Sequence, residues 1–283
     1  MYAVTSAAAT LVVVTHQGWL AADLTAAATR AGVSSHHSYG LDLPDLPGTL
    51  AWWAVTDWAA RARLAGAASD LQAPGPCFLN EVGTQLAGRP VWTGLVANLA
   101  AAPRAGWCKP AEMKVEALPA SWWPDVAGFA SACRAAGLGP DSVVQVCPVR
   151  LDLDQEFRAF VTDGRVVATS PYLVGGAVWE PGMVSPHTTA AAAFAQDVAD
   201  AVAGPAAGYV LDVGLTGDRS WVAVEANPAW SSAPYGADMD AVLATVLAAN
   251  TPNLARTWVP DPYLAARAAR RRPLVLSRPP GQQ

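Results

Sequence analysis

The chain has 283 residues, 52% of them hydrophobic, with a formal net charge of −5 and four cysteines. That length gives one large domain or two to three small subdomains, and a mean hydropathy of +0.22 is ample for a core. The lack of surplus basic charge argues against a nucleic-acid partner, no window approaches the ~18 apolar residues of a membrane span, and Cys77, Cys108, Cys133 and Cys147 show neither metal spacing nor a disulfide framework. The expectation is a reduced, cytoplasmic protein.

Met1 to Val14 is apolar without a basic start and reads as a first strand rather than a signal peptide, its β-branched part running from Thr10 to Thr15. An alanine-rich helix is expected from about Trp19 to Ala31, stopped by Gly32, then a strand over Leu50–Val55 and a helix to Leu64. Alternation of strand and helix indicates a small α/β unit. His16, His36 and His37 lack a supporting carboxylate pattern and read as loop histidines. Pro74-Gly75-Pro76 breaks the chain, and Leu86 to Leu99 reads as partly helical, interrupted at Arg89-Pro90.

The stretch Trp107-Cys108-Lys109-Pro110-Ala111-Glu112-Met113-Lys114 holds the only two lysines in the chain. A lysine is a compact point charge on a flexible stem, suited to polyphosphate oxygens; the competing reading is a solvated face. Trp107 and Cys108 read as a strand delivering Lys109, and Pro110 to Met113 as a turn that lets Lys114 point back at the same ligand. Trp122-Trp123-Pro124 reads as a break, and Val126 to Ala136 as a helix closed by Gly137. Ser142 to Val146 reads as a strand edge stopped by Pro148, which would leave backbone groups free.

Glu156 to Val161 alternates and turns at Asp163-Gly164 into a second strand, Arg165 to Thr169. Glu156 and Arg158 share one face and Phe157 takes the other, either as an ion pair or as an arginine held for an anion. A helix over Thr188–Ala203 precedes two apolar strands, Tyr209–Val213 and Trp221–Asn227, joined by the polar turn Gly214–Ser220. Period two puts Glu225 and Asn227 on one face, and antiparallel pairing brings Asp212 near them. Carboxylates inside such strands need a partner or a cation, and Asp, Glu and Asn oxygens suit Mg²⁺. Asp238 to Asn250 reads as a closing helix. The tail from Thr251 is rich in proline and arginine, and its basic run Arg267–Arg272 reads as a solvated helix.

Two lysines, a strand arginine, then Asp and Glu-x-Asn on neighbouring strands, over roughly Ala105 to Leu247, resemble the ATP-grasp superfamily and its clade named for one arginine and two lysines. The resemblance implies a mixed α/β and α+β fold: residues 1–75 an N-terminal α/β subdomain, 76–150 a central lid, 151–252 a subdomain with the metal site, and 253–283 a Pro/Arg-rich tail. It implies that Lys109 and Lys114 hold the phosphates of ATP, and that Gln145, Val146 and Cys147 lie along an adenine hinge. It also implies that Arg158 faces the γ-phosphate, and that Asp212, Glu225 and Asn227 ligate Mg²⁺. The segment between the lysines departs from many relatives in lacking a glycine-rich loop.

The activity implied is an ATP-dependent, ADP-forming ligation of a small-molecule or peptide carboxylate to an amine through an acyl-phosphate. The alternatives are phosphotransfer to a hydroxyl on the same fold, or nucleotide binding without catalysis. Ser231, Ser232 and Tyr235 either face the acceptor or form a surface loop. Exposed tryptophans, if present among the twelve, would favour a homo-oligomer.

Overall fold

A computed structural model describes residues 9–39, 43–271, 274, 276 and 277. The expectation for Met1 to Ala8 and that for Arg272 lie outside them.

The first layer is a parallel three-stranded sheet, and its strands follow one another through helices. β1 (Thr10–Val14) leads into α1 (Gly18–Arg30), then β2 (Ser34–Ser38), the short β3 (Leu43–Pro44), β4 (Leu50–Ala54) and α2 (Thr56–Leu64). The order is β2-β1-β4. Leu11, Val12 and Val13 are fully buried because the central strand of a parallel sheet is covered on both faces. His36 and His37 correct the sequence reading. They pair with Val12 and Val13 on β2 and are not loop residues, whereas His16 does lie in the bend after β1. An edge strand can be polar, so Ser-Ser-His-His-Ser carries no apolar signal; the ladder to β1 supplies the order.

Two short helices, α3 (Phe78–Val82) and α4 (Thr84–Ala87), lead to the second layer. There β5 (Trp92–Leu95), β6 (Gly106–Pro110), β7 (Ser121–Trp123), helix α5 (Val126–Ala135) and β8 (Val143–Cys147) build an antiparallel sheet of order β5-β8-β6-β7. The break expected at Trp122-Trp123 is instead β7, paired through Trp123 to Gly106; the chain leaves the sheet only at Pro124. The strand edge expected before Pro148 is also corrected, since β8 is held on both sides by β5 and β6. On β8, Val144 and Val146 enter the core against α5, and Gln145 and Cys147 take the other face. The 86–99 stretch is helical only at its ends: α4 stops at Ala87, β5 follows, and a 3₁₀ turn covers Val96–Ala101.

The third layer is antiparallel, of order β11-β10-β9-β12-β13, with β9 (Leu153–Thr162), β10 (Arg165–Val174), β11 (Ala177–Val178), β12 (Gly208–Thr216) and β13 (Trp221–Pro228). Phe157, Ala159, Val161, Leu211 and Ala223 bury one face against α6 (Thr188–Ala201) together with α3 and α4. The opposite face carries Arg158, Phe160, Val210 and Asp212 and packs on α7 (Met239–Ala248), which also touches α1 and β4. Asp238 caps α7 by accepting from the backbone N–H groups of Asp240 and Ala241 at 3.0 Å. The tail forms α8 (Pro262–Ala269), packed on α2, and a strand β14 (Leu276–Ser277) beside β3. Asp261 caps α8 and also accepts from Ser142 Oγ at 2.9 Å and Val143 N at 3.0 Å, which pins the tail to β8.

One irregularity sets the face of β13. Asp212 pairs with Glu225 but Val213 pairs with Ala223, so Val224 is an extra residue in a β-bulge. Without it Ala223 and Glu225 would share a face. With it Ala223 is buried against α6, α3 and α4, and Glu225 turns to the opposite side.

Candidate active site

Between the second and third layers lies a cavity of about 450 Å³. Trp107 and Lys109 of β6, Gln145 and Cys147 of β8, and Glu156 and Glu225 line it from the two sheets. Alternation along each strand puts these side chains on the cavity face and their neighbours in the core.

A continuous chain of polar contacts crosses this wall. The Lys109 ammonium donates to Glu225 Oε2. Asn227 Nδ2 donates to Glu225 Oε1 at 3.0 Å and to Asp212 Oδ2 at 3.2 Å. Arg158 then grips Asp212 in parallel, Nε to Oδ1 at 2.8 Å and Nη2 to Oδ2 at 2.7 Å. Arg158 Nη1 also donates to Ala233 O at 3.2 Å. Two cations and two carboxylates are thus held together by one amide.

Burial would raise the Glu225 carboxyl, but the Lys109 ammonium and the Asn227 amide overcome it and hold the group down at about 2. Asp212 is 1% exposed; burial pushes its carboxyl up, and Arg158 opposes that shift. Burial likewise raises Glu156, opposed by the hydrogen bond it accepts from the Tyr172 hydroxyl. Arg158 lies over the rings of Tyr172 and Tyr235, 5.5 and 5.0 Å from their centroids, and these rings stack on each other.

The three residues expected to hold Mg²⁺ therefore stand together. Their chemistry fits a hard divalent cation: two carboxylates and an amide whose Oδ1 accepts no hydrogen bond from the described residues. Among the described residues no cluster of three His, Cys, Asp or Glu side chains forms a ready cage, so a cation here would complete its shell with ligand oxygens.

The structure brings Lys109 into this group but not Lys114, which is exposed and makes no hydrogen bond or ion pair among the described residues. Gln145 and Cys147 line the cavity, while the Val146 side chain is buried in the core. Because β8 is paired on both sides, the backbone free to meet a ligand lies just beyond it, where Val149 to Leu151 line the cavity. Of the three loop residues, Ser232 is buried and donates to Pro228 O at 2.8 Å, Ser231 closes a 3₁₀ turn, and Tyr235 meets Arg158. Glu156 pairs with Tyr172 and Arg158 with Asp212, so these two strand neighbours are not each other's partners.

Sequence reading missed Tyr172, Arg89 and Arg150. Arg150 lies over the Trp107 ring at 5.9 Å. Arg89 is buried beside the cavity, and its only signal was a charged residue set between Gly88 and Pro90.

Two clasping sheets with a polar-walled cleft between them define an ATP-grasp fold. The family model for the ATP-grasp domain of the clade named for one arginine and two lysines, the second family of that clade, matches residues 86–245, more than half of the chain, and the protein belongs to that family. The crystal structure of D-cycloserine synthetase DcsG is similar at TM-score 0.53 and 13% identity, with 85% of this chain and 99% of that chain covered. The ATP-grasp ligase PsnB complexed with minimal precursor aligns at TM-score 0.48 and 13% identity, covering 85% and 99%. N5-carboxyaminoimidazole synthetase from Staphylococcus aureus, complexed with ADP, aligns at 0.47 and 12%, covering 87% and 78%. At these identities the likeness to DcsG speaks for the fold alone. No curated protein matches the sequence. Among the described residues no helix is long and apolar enough to cross a membrane.

Proposed function

We propose that the protein is an ATP-dependent, ADP-forming ligase that joins a carboxylate to an amine through an acyl-phosphate. The observation that carries this reading is the chain Lys109–Glu225–Asn227–Asp212–Arg158, which runs along the wall of the cleft in a member of the ATP-grasp family.

In this reading the cleft takes ATP, with the segment from Cys147 to Leu151 along the base. Lys109 holds phosphate oxygens, and Lys114 reaches them when its segment folds over the nucleotide. Asp212, Glu225 and Asn227 would hold Mg²⁺, which when bound bridges phosphate oxygens and offsets their charge. A substrate carboxylate oxygen bonds to the γ-phosphorus as the bond to the β-phosphate oxygen breaks, leaving ADP. Arg158 is oriented to take up charge on the transferring phosphoryl group, because Asp212 fixes the plane of its guanidinium. The amine then attacks the acyl carbon, phosphate departs, and the amine proton goes to solvent. No protein nucleophile is required; positioning and charge supply the catalysis.

The test is ADP release across a panel of carboxylates crossed with amines, with product mass. ADP formed only with both partners, and an amide in the product, supports the ligase. A phosphorylated hydroxyl compound would replace it with the phosphotransferase, and ATP binding without turnover would leave a binding module.

A further inference from the structure

Arg89 is 7% exposed, yet among the described residues no carboxylate lies within ion-pair distance of it. Its guanidinium is spent on three backbone carbonyls: Nη1 donates to Ala87 O at 2.6 Å and to Ala223 O at 2.8 Å, and Nη2 to Val224 O at 3.0 Å. Successive carbonyls of a regular strand point to opposite sides. Ala223 and Val224 present theirs to one side because Val224 is the bulge residue, and β13 is an edge strand with no neighbour on that flank. Gly88 makes the approach possible. Its φ is +65°, and any Cβ would collide with Val222 Cγ1.

We infer that Arg89 is a positioning residue for the metal site. Its planar fork fixes the bulge at Val224, and the bulge turns Glu225 into the cleft beside Asp212 and Asn227. The inference rests on the reading of Glu225 as a ligand of the nucleotide-borne cation. Arg89 need not touch the nucleotide; a one-residue slip of β13 would exchange the faces of Ala223 and Glu225. Lysine can hold one carbonyl but cannot reproduce the fork.

The experiment is calorimetric ADP binding, with and without Mg²⁺, to wild type, Arg89→Lys and Arg89→Gln, beside melting temperature. In wild type Mg²⁺ should tighten ADP binding. In folded Arg89→Lys the metal-free affinity should be kept within about twofold, while at least tenfold of the Mg²⁺-dependent gain is lost; Arg89→Gln should behave alike. Loss of metal-free affinity instead would make Arg89 a direct nucleotide contact and overturn the inference. So would an unchanged Mg²⁺ gain, a failure of both variants to fold, or no Mg²⁺ effect in wild type. A wild type that shows the Mg²⁺ gain but forms no ADP with any carboxylate–amine pair would sink the ligase reading while leaving the role of Arg89 to the same binding data.

Discussion

Arg158 and Asp212, opposite each other on β9 and β12, are joined by two parallel hydrogen bonds of 2.8 and 2.7 Å while both side chains are nearly sealed from solvent. The geometry is the bidentate one that arginine forms and lysine does not. It also couples the residue proposed to face the γ-phosphate to one proposed to hold the metal, so that fold stability and turnover share one contact.

Arg158→Lys is therefore expected to lose on both counts. Partial loss of a buried charge-assisted pair costs about 1–3 kcal/mol. Turnover should fall about 100-fold, the scale for losing one oriented donor to developing charge. Thermal melting and single-turnover ADP formation check it. Near-normal turnover with reduced stability would make the pair structural.

Lys114 should separate from Lys109. It is exposed and without a partner among the described residues, so Lys114→Ala should leave the melting temperature within the narrow range of surface changes, about 0.5 kcal/mol. If its segment folds over the nucleotide, ATP affinity should drop all the same. Lys109→Ala should weaken ATP binding and also lower stability, because it strips Glu225 of its ion pair. Unchanged ATP affinity in Lys114→Ala would return that lysine to a solvated surface.

Much of this was legible in the sequence, and the failures have physical causes. Lys109, Asp212, Glu225 and Asn227 could be grouped because charged residues inside apolar strands demand partners, and period two fixes their face. The partnership of Arg158 with Asp212 was not legible, since it depends on which strand lies beside β9: β12 comes about fifty residues later. The bulge at Val224 left no mark, because an extra valine in a run of Val and Ala looks like any other strand residue. β2 and β7 were missed for the opposite reason. They lie at sheet edges, where polar or proline-flanked residues suffice and the neighbouring strand imposes the extended form.

Glu112, between the two lysines, gives a pH prediction. Burial, aided by Asp261, pushes its carboxyl from the ordinary 4.5 up to about 7. Between those values the folded chain keeps a proton that the unfolded chain has lost, so stability falls as pH rises from about 4.5 through about 7. At roughly 1.4 kcal/mol for each pH unit, the loss is about 3 kcal/mol. Glu112→Gln should match wild type near pH 4 and exceed it by about that amount near pH 8. Melting curves across this range check it; a wild-type-to-variant difference that does not change with pH would place Glu112 in solvent.

The metal assignment is most directly tested by a magnesium titration of Glu225→Gln at saturating ATP, with circular dichroism confirming the fold. Gln keeps the shape of the side chain and removes the charge held at about 2 by Lys109 and Asn227. The wild type should show a saturable Mg²⁺ requirement for ADP formation. The variant should stay folded and form ADP at less than about a hundredth of the wild-type rate at any Mg²⁺ concentration, a loss of the size expected when transition-state charge goes uncompensated. Wild-type rates with an unchanged Mg²⁺ requirement would contradict the assignment of Asp212, Glu225 and Asn227 as the metal site, and with it the proposed ligase.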